Sequence, residues 1–533
     1  MYDLILKNGI IYDGSTNPFY KADIGIIKDK IIEIGDLKNE KFSDEIDASG
    51  LCIMPGFIDT HAHSDMILLH DRQHANGLCQ GITTEILGQD GLSFAPLSFG
   101  KLNMYSKYLV GIYGYFEDLK LDFKNVAEYL YKFDNKTSIN VAYNIPHGAI
   151  RLEAAGFNDV SLKGYALDKA KELMREGFEQ GAVAFSTGLS YYPCFYSDTD
   201  ELIELCKVCS EYDTAFVIHL RTVFRDTPIN PIEEAIEIAR RSGARLHFSH
   251  FQTDESNCGK AQEMMAPIEK AMDEGVKITV ELYPYYSGSG FAVAFLPPWV
   301  SEGGYEATLK RLENPILRKK IIGGMNRKIT IGGMEENTIP INGTFTHLKK
   351  NIKYVGMDFS DVAKERNQLI EDMICDILIE ENLEVGFYGN PSMGIGKREQ
   401  MDKDFIWLLS RPYFMVGSDA VPLGFNPHPR AFGTFPKLLK LAKQYGMSYE
   451  NFANRTSSLP AKVFKLKNRG KIAKNYFADL VAFNPETVKD NATYKNSRRA
   501  PDGVEYVVVN GKIAVYKEKV TGLFAGQAIR RGN

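Results

Sequence analysis

The sequence has few cysteines, no long apolar run and no excess of positive charge, and each shortage excludes a class of protein. The seven cysteines are an odd number scattered over 533 residues, which does not suit a disulfide framework. No segment approaches the roughly 20 consecutive apolar residues of a membrane-spanning helix. Lysine and arginine (63) do not outnumber aspartate and glutamate (68), so nucleic acid is not an expected partner.

The first residues, MYDLILKNGIIYDG, alternate between strand-like and turn-like positions. They have neither the basic segment nor the apolar core of a secretory signal, so we expect a cytoplasmic protein with no membrane partner. The oligomeric state is left open, because a single chain carries no readable interface pattern.

Both ends of the chain are rich in short strands. Residues 1–55 contain strand segments separated by Asn-Gly and Asp-Gly turns, and residues 466–533 repeat this texture in ADLVAFNPE and GVEYVVVNGKIAVYKEK. We therefore expect one small β-sandwich domain built from both termini, with 1–55 as its first part and 466–533 as its second.

The middle of the chain alternates strands with helices. Its short apolar segments are typical of buried parallel strands, and amphipathic helical patterns lie between them. Eight such units predict an α/β fold, a (β/α)8 TIM barrel, over residues 56–285 and 411–465. The interval 286–410 is too long for a loop and predicts an inserted lid or subdomain between strands 7 and 8. The eight predicted strands are FIDTHAH, ITTEILG, INVAYNIPH, AVAFSTGL, AFVIHLR, RLHFSH, KITVELYPY and YFMVGSDA.

Metal-ligating side chains follow the ends of several predicted strands. Function in such a barrel lies at the carboxyl ends of the strands, which meet at one mouth. The two histidines of the first strand are one residue apart, so strand alternation turns both to the same side. The residues at this mouth are His61, His63, Asp90, His219, His250 and Asp419.

A single buried histidine is more often a hydrogen-bonded core residue than a metal ligand. Several ligands at the ends of different strands are hard to explain without a metal ion. Zinc with nitrogen and oxygen ligands and an open position lowers the pKa of bound water toward ~7 and polarises a carbonyl group. Asp419 is the candidate general base, and the alternative is a role as a ligand or an orienting group.

Longer motifs extend this pattern over nearly the whole chain, in the same order as in one known group. With them the sequence resembles the N-acyl-D-amino-acid deacylases, or D-aminoacylases, of the amidohydrolase superfamily. The resemblance implies a metal-dependent TIM barrel that hydrolyses the amide bond of N-acyl-D-amino acids and releases a carboxylic acid and a D-amino acid. The motifs are PGFIDTHAHSD, GITTEILGQDG, PHGAIR, STGLSYYP, HLR, YPYYSGS, GSDA, NPHPRAFGTFP and GKIAKNYFADLVAFNP.

The resemblance also implies a set of roles in the metal centre. One zinc ion would be held tightly by His219 and His250, and His61 and His63 would offer a second, weaker position. Asp419 would act first as the general base and then as the general acid.

The substrate expected from the resemblance is a small molecule that carries a carboxylate. Arg430 would bind that carboxylate, which its planar guanidinium suits, although a structural salt bridge is an alternative. Tyr191, Tyr283 and Ser289 would line the pocket, and for the two tyrosines simple packing at the rim is the alternative.

Two positions depart from the family pattern. Asp90 stands where the family commonly has a cysteine that ligates zinc, and an oxygen donor is harder than a thiolate. Gln252 stands where the family often has a lysine. The segment AVAFSTGL contains no lysine, which counts against the carbamylated-lysine centre of hydantoinases and dihydroorotases.

Two other functions stay open. One is an amidohydrolase that acts on another C–N bond, such as that of a D-dipeptide or a cyclic amide, and the other is a catalytically inactive barrel scaffold. The scaffold is the less expected, because the strand-end ligands are retained. His247, three residues before His250, is expected on the opposite face of its strand, against a helix.

Overall fold

The computed structural model describes residues 1–222, 230–325, 341–391 and 393–532, together with the backbone of 328–329 and 337–338. The strands, in chain order, are β1 Tyr2–Ile11, β2 Tyr20–Ile27, β3 Lys30–Gly35, β4 Phe42–Asp47, β5 Cys52–Pro55, β6 Phe57–Asp59, β7 Ile82–Leu87, β8 Asn140–Pro146, β9 Ala184–Gly188, β10 Ala215–His219, β11 Arg245–Phe248, β12 Ile278–Leu282, β13 Ser289–Phe291, β14 Lys328–Ile329, β15 Asn337–Thr338, β16 Thr344–His347, β17 Gly386–Tyr388, β18 Phe414–Val416, β19 Leu480–Phe483, β20 Val504–Val509, β21 Lys512–Tyr516 and β22 Lys519–Val520.

The helices lie mainly between the strands of the middle segment and in the interval between β13 and β18. In chain order they are α1 Ile67–His70, α2 Ala75–Leu78, α3 Phe99–Tyr108, α4 Val110–Tyr113, α5 Val126–Tyr131, α6 His147–Ala155, α7 Tyr165–Glu179, α8 Thr199–Glu211, α9 Pro231–Ser242, α10 Ala261–Asp273, α11 Tyr305–Glu313, α12 Pro315–Met325, α13 Phe359–Glu365, α14 Ile370–Glu380, α15 Ile395–Leu409, α16 Arg430–Tyr445, α17 Tyr449–Ala453 and α18 Leu459–Val463.

Eight parallel strands form a nearly closed barrel. Their order is β18-β12-β11-β10-β9-β8-β7-β6, and each predicted strand segment contains one of them. The first and last strands also meet, since the Thr60 N–H donates to the Val416 carbonyl over 3.2 Å and the Asp419 N–H donates to the His61 carbonyl over 2.7 Å. The predicted (β/α)8 fold is confirmed.

Local signals explain where the outer helices begin and end. The Asp198 side chain accepts a hydrogen bond from the Glu201 N–H and caps the start of α8. Asn230 caps α9 in the same way, with Pro231 in its first turn, and Gly243 ends this helix at a φ of 75°.

A second sheet is built from both ends of the chain. Its main strand order is β22-β21-β20-β19-β5-β1-β2-β3, with β4 paired to β1. The two termini join where β19 pairs antiparallel with β5, with Leu480 opposite Pro55. The separate sheet-rich domain from both termini is therefore present, as the sequence predicts.

The interval between β12 and β18 holds a small antiparallel sheet, β13-β17-β16, and helices α11 to α15. Ser289 at the start of β13 contacts Arg430 beyond β18, so this insertion borders the barrel mouth. The limits of the four predicted segments stay predictions. Among the described residues, no helix combines the length and apolar character that a membrane crossing requires.

Side chains on the two faces of the barrel strands pack into two separate cores. Side chains such as Val280, Leu282 and Phe248 belong to the large core shared with the outer helices. The opposite side chains of the strands, among them Ile58 and Met415, pack together inside the barrel with Phe464. The apolar interior leaves the polar strand ends gathered at the mouth.

Candidate active site

The first histidine pair lies just beyond β6. The rings of His61 and His63 are buried, with their centroids 5.2 Å apart. The Nε2 atom of His61 lies 3.5 Å from Oδ1 of Asp90, and the Nε2 atom of His63 lies 3.6 Å from its Oδ2. Both imidazoles therefore turn Nε2 toward one carboxylate.

Asp90 reaches this position because the chain turns sharply after β7. Gly88 and Asp90 have φ angles of 75° and 55°, in the left-handed region that glycine adopts freely and aspartate tolerates. A Cβ atom at position 88 would lie only 2.3 Å from the backbone oxygen of Asn144, so the turn requires glycine there. The turn places the Asp90 carboxylate among the histidines.

The second histidine pair faces Asp90 from the other side. His219 ends β10, and His250 lies in the turn after β11 with a φ of 33°. Oδ2 of Asp90 lies 3.7 Å from Nδ1 of His219, and Oδ1 lies 3.9 Å from Nε2 of His250. Each oxygen of Asp90 therefore faces one imidazole nitrogen from each pair.

These donors fit a metal cation. His61, His63 and Asp90 form one group of three ligand atoms within 4.8 Å of one another, and Asp90, His219 and His250 form another. Nε2 of His61 and Oδ1 of Asp90 are buried without a hydrogen-bond partner, a state that normally needs a compensating group. Imidazole nitrogen and carboxylate oxygen are donors that zinc accepts.

The electrostatics of the site differ between the two histidine pairs. Burial alone would lower the pKa of His61, but the carboxylates of Asp90 and Glu281 outweigh it and raise that pKa well above its ordinary value. Burial lowers the pKa of His219 to about 4, so its imidazole is neutral at neutral pH. Burial alone would raise the pKa of Asp90, but the neighbouring histidines, His61 first among them, outweigh it and hold that pKa well below its ordinary value. His219 and Asp90 therefore have their ligand forms, a neutral imidazole and an ionised carboxylate, and a cation bound at Nε2 of His61 would displace the proton there.

Asp419 lies beside the first histidine pair. Its Oδ1 is 3.3 Å from Nε2 of His63 and 3.7 Å from Nε2 of His61, and its Oδ2 is 2.8 Å from Nη1 of Arg430. Burial alone would raise the pKa of Asp419, but Arg430 and the imidazoles hold it below its ordinary value. The carboxylate is therefore ionised next to the candidate metal ligands.

Arg430 begins α16 and is fully buried. Besides its contact with Asp419, its Nη2 donates to the Ser289 carbonyl over 3.2 Å, and its guanidinium lies 4.8 Å from the centroid of the Tyr283 ring. Its Nε atom is buried without a hydrogen-bond partner. Ser289 thus joins the site through its backbone carbonyl.

Tyr191 and Gln252 complete the surroundings. The Tyr191 ring lies 4.7 Å from the His219 ring, centroid to centroid. The Gln252 amide is bound to the segment just beyond β12. Its Oε1 accepts from the Tyr283 N–H over 2.9 Å, and its Nε2 donates to the Tyr285 carbonyl over 3.2 Å. All ten sequence-predicted site residues therefore lie in one neighbourhood.

Sequence reasoning missed two residues behind the histidines. Glu281 is fully buried, and its Oε1 lies 2.6 Å from Nδ1 of His61. The Tyr113 hydroxyl lies 3.3 Å from Nδ1 of His63. A glutamate inside the apolar strand KITVELYPY is a signal that points to Glu281, whereas Tyr113 comes from a helix between barrel strands and carries no such signal.

The expectation that His247 packs outward against a helix is wrong. Its Nε2 lies 3.0 Å from Oε2 of Glu281, and its ring packs on Phe464, which belongs to the core inside the barrel. Strand β11 ends at Phe248, and the turn that follows gives His250 a positive φ. Strict alternation counted back from His250 therefore fails.

Known proteins resemble this chain in both sequence and fold. The profile of the Amidohydrolase family matches residues 44–204 and 407–515. A D-aminoacylase of Alcaligenes xylosoxydans xylosoxydans is 28% identical over 535 residues, which cover 99% of this chain and 98% of that protein. The resemblance to D-aminoacylases that the motifs indicate is confirmed over the full length.

Two solved structures extend the comparison to the fold, and both are of proteins described with bound metal or a metal centre. N-acyl-D-glutamate deacylase from Bordetella bronchiseptica, complexed with zinc and a phosphonate inhibitor that mimics the tetrahedral intermediate, superposes with a TM-score of 0.80 at 26% identity and covers 99% of both chains. A D-aminoacylase studied for its binuclear metal centre has a TM-score of 0.78 at 25% identity, with 100% of both chains covered.

Proposed function

Because the chain belongs to the amidohydrolase family, we propose that it hydrolyses the amide bond of N-acyl-D-amino acids and releases a carboxylic acid and a D-amino acid. One observation carries the proposal: two histidine pairs from three barrel segments face a single carboxylate, with Asp419 and the buried Arg430 beside them. A D-aminoacylase and an N-acyl-D-glutamate deacylase are similar to this chain over its whole length.

The metal centre proposed here is a zinc site. His219 and His250 would hold one ion tightly, His61 and His63 would hold a second more weakly, and Asp90 faces both pairs. When bound, zinc with an open coordination position polarises the substrate carbonyl and lowers the pKa of water toward ~7. The nitrogen and oxygen donors and their unpaired buried atoms support this assignment.

Asp419 is the proposed general base and acid. Its Oδ1 faces the His61–His63 pair, which would hold the more weakly bound ion, and its lowered pKa keeps it in the proton-accepting form at neutral pH. It takes a proton from the attacking water and delivers it to the leaving nitrogen, so the scissile C–N bond breaks with a neutral amine as product.

Arg430 is the proposed anchor of the substrate carboxylate. Its guanidinium is fully buried and paired with Asp419 through Nη1, and the unpartnered N–H at Nε is left to meet a second anion. Tyr283 packs against the guanidinium, and the Ser289 carbonyl fixes one of its nitrogens. With Tyr191 on the His219 side, these residues would position the amide between the metal centre and Asp419.

The decisive experiment measures amine release from paired N-acetyl-D- and N-acetyl-L-amino acids with zinc-loaded protein. We expect release from D substrates alone. Asp419→Asn should lower the rate at least a hundredfold, the order usual for removing a general base. The matched control is Asp23→Asn, which changes an aspartate that is also buried but lies in the terminal sheet, where it accepts the Asn8 and Leu37 N–H groups.

The metal content of each variant is measured beside its rate, so that loss of metal is separated from loss of the base. Full activity in Asp419→Asn would overturn the assigned base. No release from any D or L substrate by metal-loaded protein would overturn the deacylase assignment and favour an amidohydrolase that acts on another C–N bond.

A further inference from the structure

Glu281 is a buried carboxylate that the proposed reaction leaves without a role. It lies near the carboxyl end of β12, where its neighbours Val280 and Leu282 face the outer core, so its own side chain points into the barrel. Its solvent exposure is 0%. A carboxylate buried this completely requires hydrogen-bond donors around it.

Three donors surround the Glu281 carboxylate. Nδ1 of His61 lies 2.6 Å from Oε1, and Nε2 of His247 lies 3.0 Å from Oε2. The Thr60 hydroxyl donates to Oε2 as well. Both oxygens are therefore engaged, and one of them is dedicated to a histidine of the proposed metal centre.

The contact fixes which nitrogen of His61 carries the hydrogen. An ionised carboxylate only accepts hydrogen bonds, so Nδ1 of His61 must donate. In the neutral imidazole Nε2 then keeps its lone pair, and this is the atom that lies buried, without a hydrogen-bond partner, 3.5 Å from Asp90. A carboxylate behind a histidine in this way orients the ring and raises its basicity as a ligand.

The neighbouring histidine lacks such an anion. Nδ1 of His63 faces the neutral Tyr113 hydroxyl at 3.3 Å, and that hydroxyl in turn donates to the Leu92 carbonyl. Among the described residues, His61 is thus the histidine of this pair that has a carboxylate behind it. The two rings are therefore held unequally, His61 by a carboxylate and His63 by a neutral hydroxyl.

Backbone packing is adapted to the contact between His61 and Glu281. A Cβ atom at Gly417 would lie 2.6 Å from Cβ of His61 and 2.7 Å from Cδ of Glu281. The absence of a side chain at this position on the adjoining strand end lets the two groups meet. The contact is therefore built by three segments of the barrel: β12, the end of β6 and the end of β18.

We infer that Glu281 is a positioning residue that holds His61 as an Nε2 ligand and thereby sets how tightly the His61–His63 pair retains its metal ion. The inference rests on the proposed metal centre, but it does not depend on which substrate is hydrolysed. Glu281 acts through His61 and contacts no reacting atom.

The test compares Glu281→Gln with a matched variant, Glu85→Gln. Glu85 lies on β7, is also buried, and its Oε1 is likewise 2.6 Å from a buried histidine nitrogen, Nε2 of His74. The two substitutions therefore remove the same charge from the same kind of pair. Only the first pair includes a proposed metal ligand.

Zinc affinity is measured for the full-length protein by competition with a chromophoric chelator, and the visible spectrum of the cobalt-substituted protein reports the ligand geometry. We expect Glu281→Gln to weaken binding of the more weakly held ion ten- to a hundredfold and to alter the cobalt spectrum. Glu85→Gln should lower the thermal midpoint but leave affinity and spectrum unchanged. Glu281→Asp, which keeps the charge, should recover part of the affinity and serves if Glu281→Gln does not fold.

Equal zinc affinity in Glu281→Gln and the wild type would overturn the inference, as would an equal loss in Glu85→Gln. Failure of the inference is distinguishable from failure of the proposed function, because metal binding is measured without substrate. If Glu281→Gln releases D-amino acids and binds zinc as tightly as the wild type, the proposed function stands. Only the role inferred for Glu281 is then overturned.

Discussion

At the scale of single residues, Arg430 combines burial, charge and incomplete hydrogen bonding at the mouth of the barrel. Its guanidinium is fully buried and contacts the Asp419 carboxylate, the Ser289 carbonyl and the Tyr283 ring. Nε of Arg430 has no hydrogen-bond partner, and the guanidinium lies beside Asp419, which itself adjoins the His61–His63 pair. This pattern favours a binding role over a structural salt bridge.

Replacing Arg430 by lysine tests that role. Lysine keeps the charge but loses the planar fork that matches a carboxylate. Hydrogen bonds to charged groups contribute about 1.5–3 kcal/mol, so we expect kcat/KM for N-acyl-D-amino acids to fall roughly 10- to 150-fold. The measurement is steady-state kinetics with a free-acid substrate and with its carboxamide analogue, which lacks the carboxylate.

The wild type should prefer the free acid strongly, and Arg430→Lys should lose most of that preference. If both substrates lose the same factor, the residue supports the fold of the site instead of recognising the carboxylate. Metal content, measured in parallel, separates either result from damage to the metal centre.

At the scale of elements, the strands were predictable and the turns after them were not. Each barrel strand is a short apolar run buried on both faces, and that signal is local in the sequence. The turns depend on tertiary contacts. Gly88 is required because the Asn144 carbonyl leaves no room for a Cβ atom, and the turn at His250 breaks the alternation from which the position of His247 was predicted. The candidate ligand residues are therefore predictable from the sequence, but Glu281, which contacts His61, is found only when β12 and the end of β6 are brought together.

The turn after β7 gives a prediction at this scale. Gly88→Ala should displace Asp90, because the added Cβ would lie 2.3 Å from the Asn144 carbonyl and the φ of 75° is strained for alanine. We expect a folded protein whose metal content and activity fall together. Gly275→Ala is the control, since Gly275 also has a positive φ, 94°, but open space around its Cβ.

The control should cost only the backbone strain, about 1 kcal/mol of stability, and leave the metal content unchanged. Full metal retention in Gly88→Ala would mean that the turn can shift without moving the Asp90 carboxylate. Metal analysis and thermal unfolding of the two variants decide between these outcomes.

At the scale of the whole molecule, the candidate ligands connect segments that are far apart in the chain. His61 and His63 follow β6, Asp90 follows β7, and His219 and His250 follow β10 and β11. An ion shared by these residues would add a further link between strand ends that come from different parts of the chain. Metal binding should therefore stabilise the folded barrel as well as provide chemistry.

Removal of the metal by a chelator should consequently lower the thermal midpoint, and added zinc should restore it. A ligand that binds only the folded state stabilises it by RT ln(1 + [L]/Kd), about 2.7 kcal/mol at a free concentration of 100 Kd. In a protein of this size such a gain corresponds to a shift of a few degrees. Calorimetry over a series of zinc concentrations measures the shift, which should be much smaller in Asp90→Ala because that variant removes the carboxylate facing both histidine pairs. A midpoint independent of zinc in the wild type would contradict a metal centre that spans these strands.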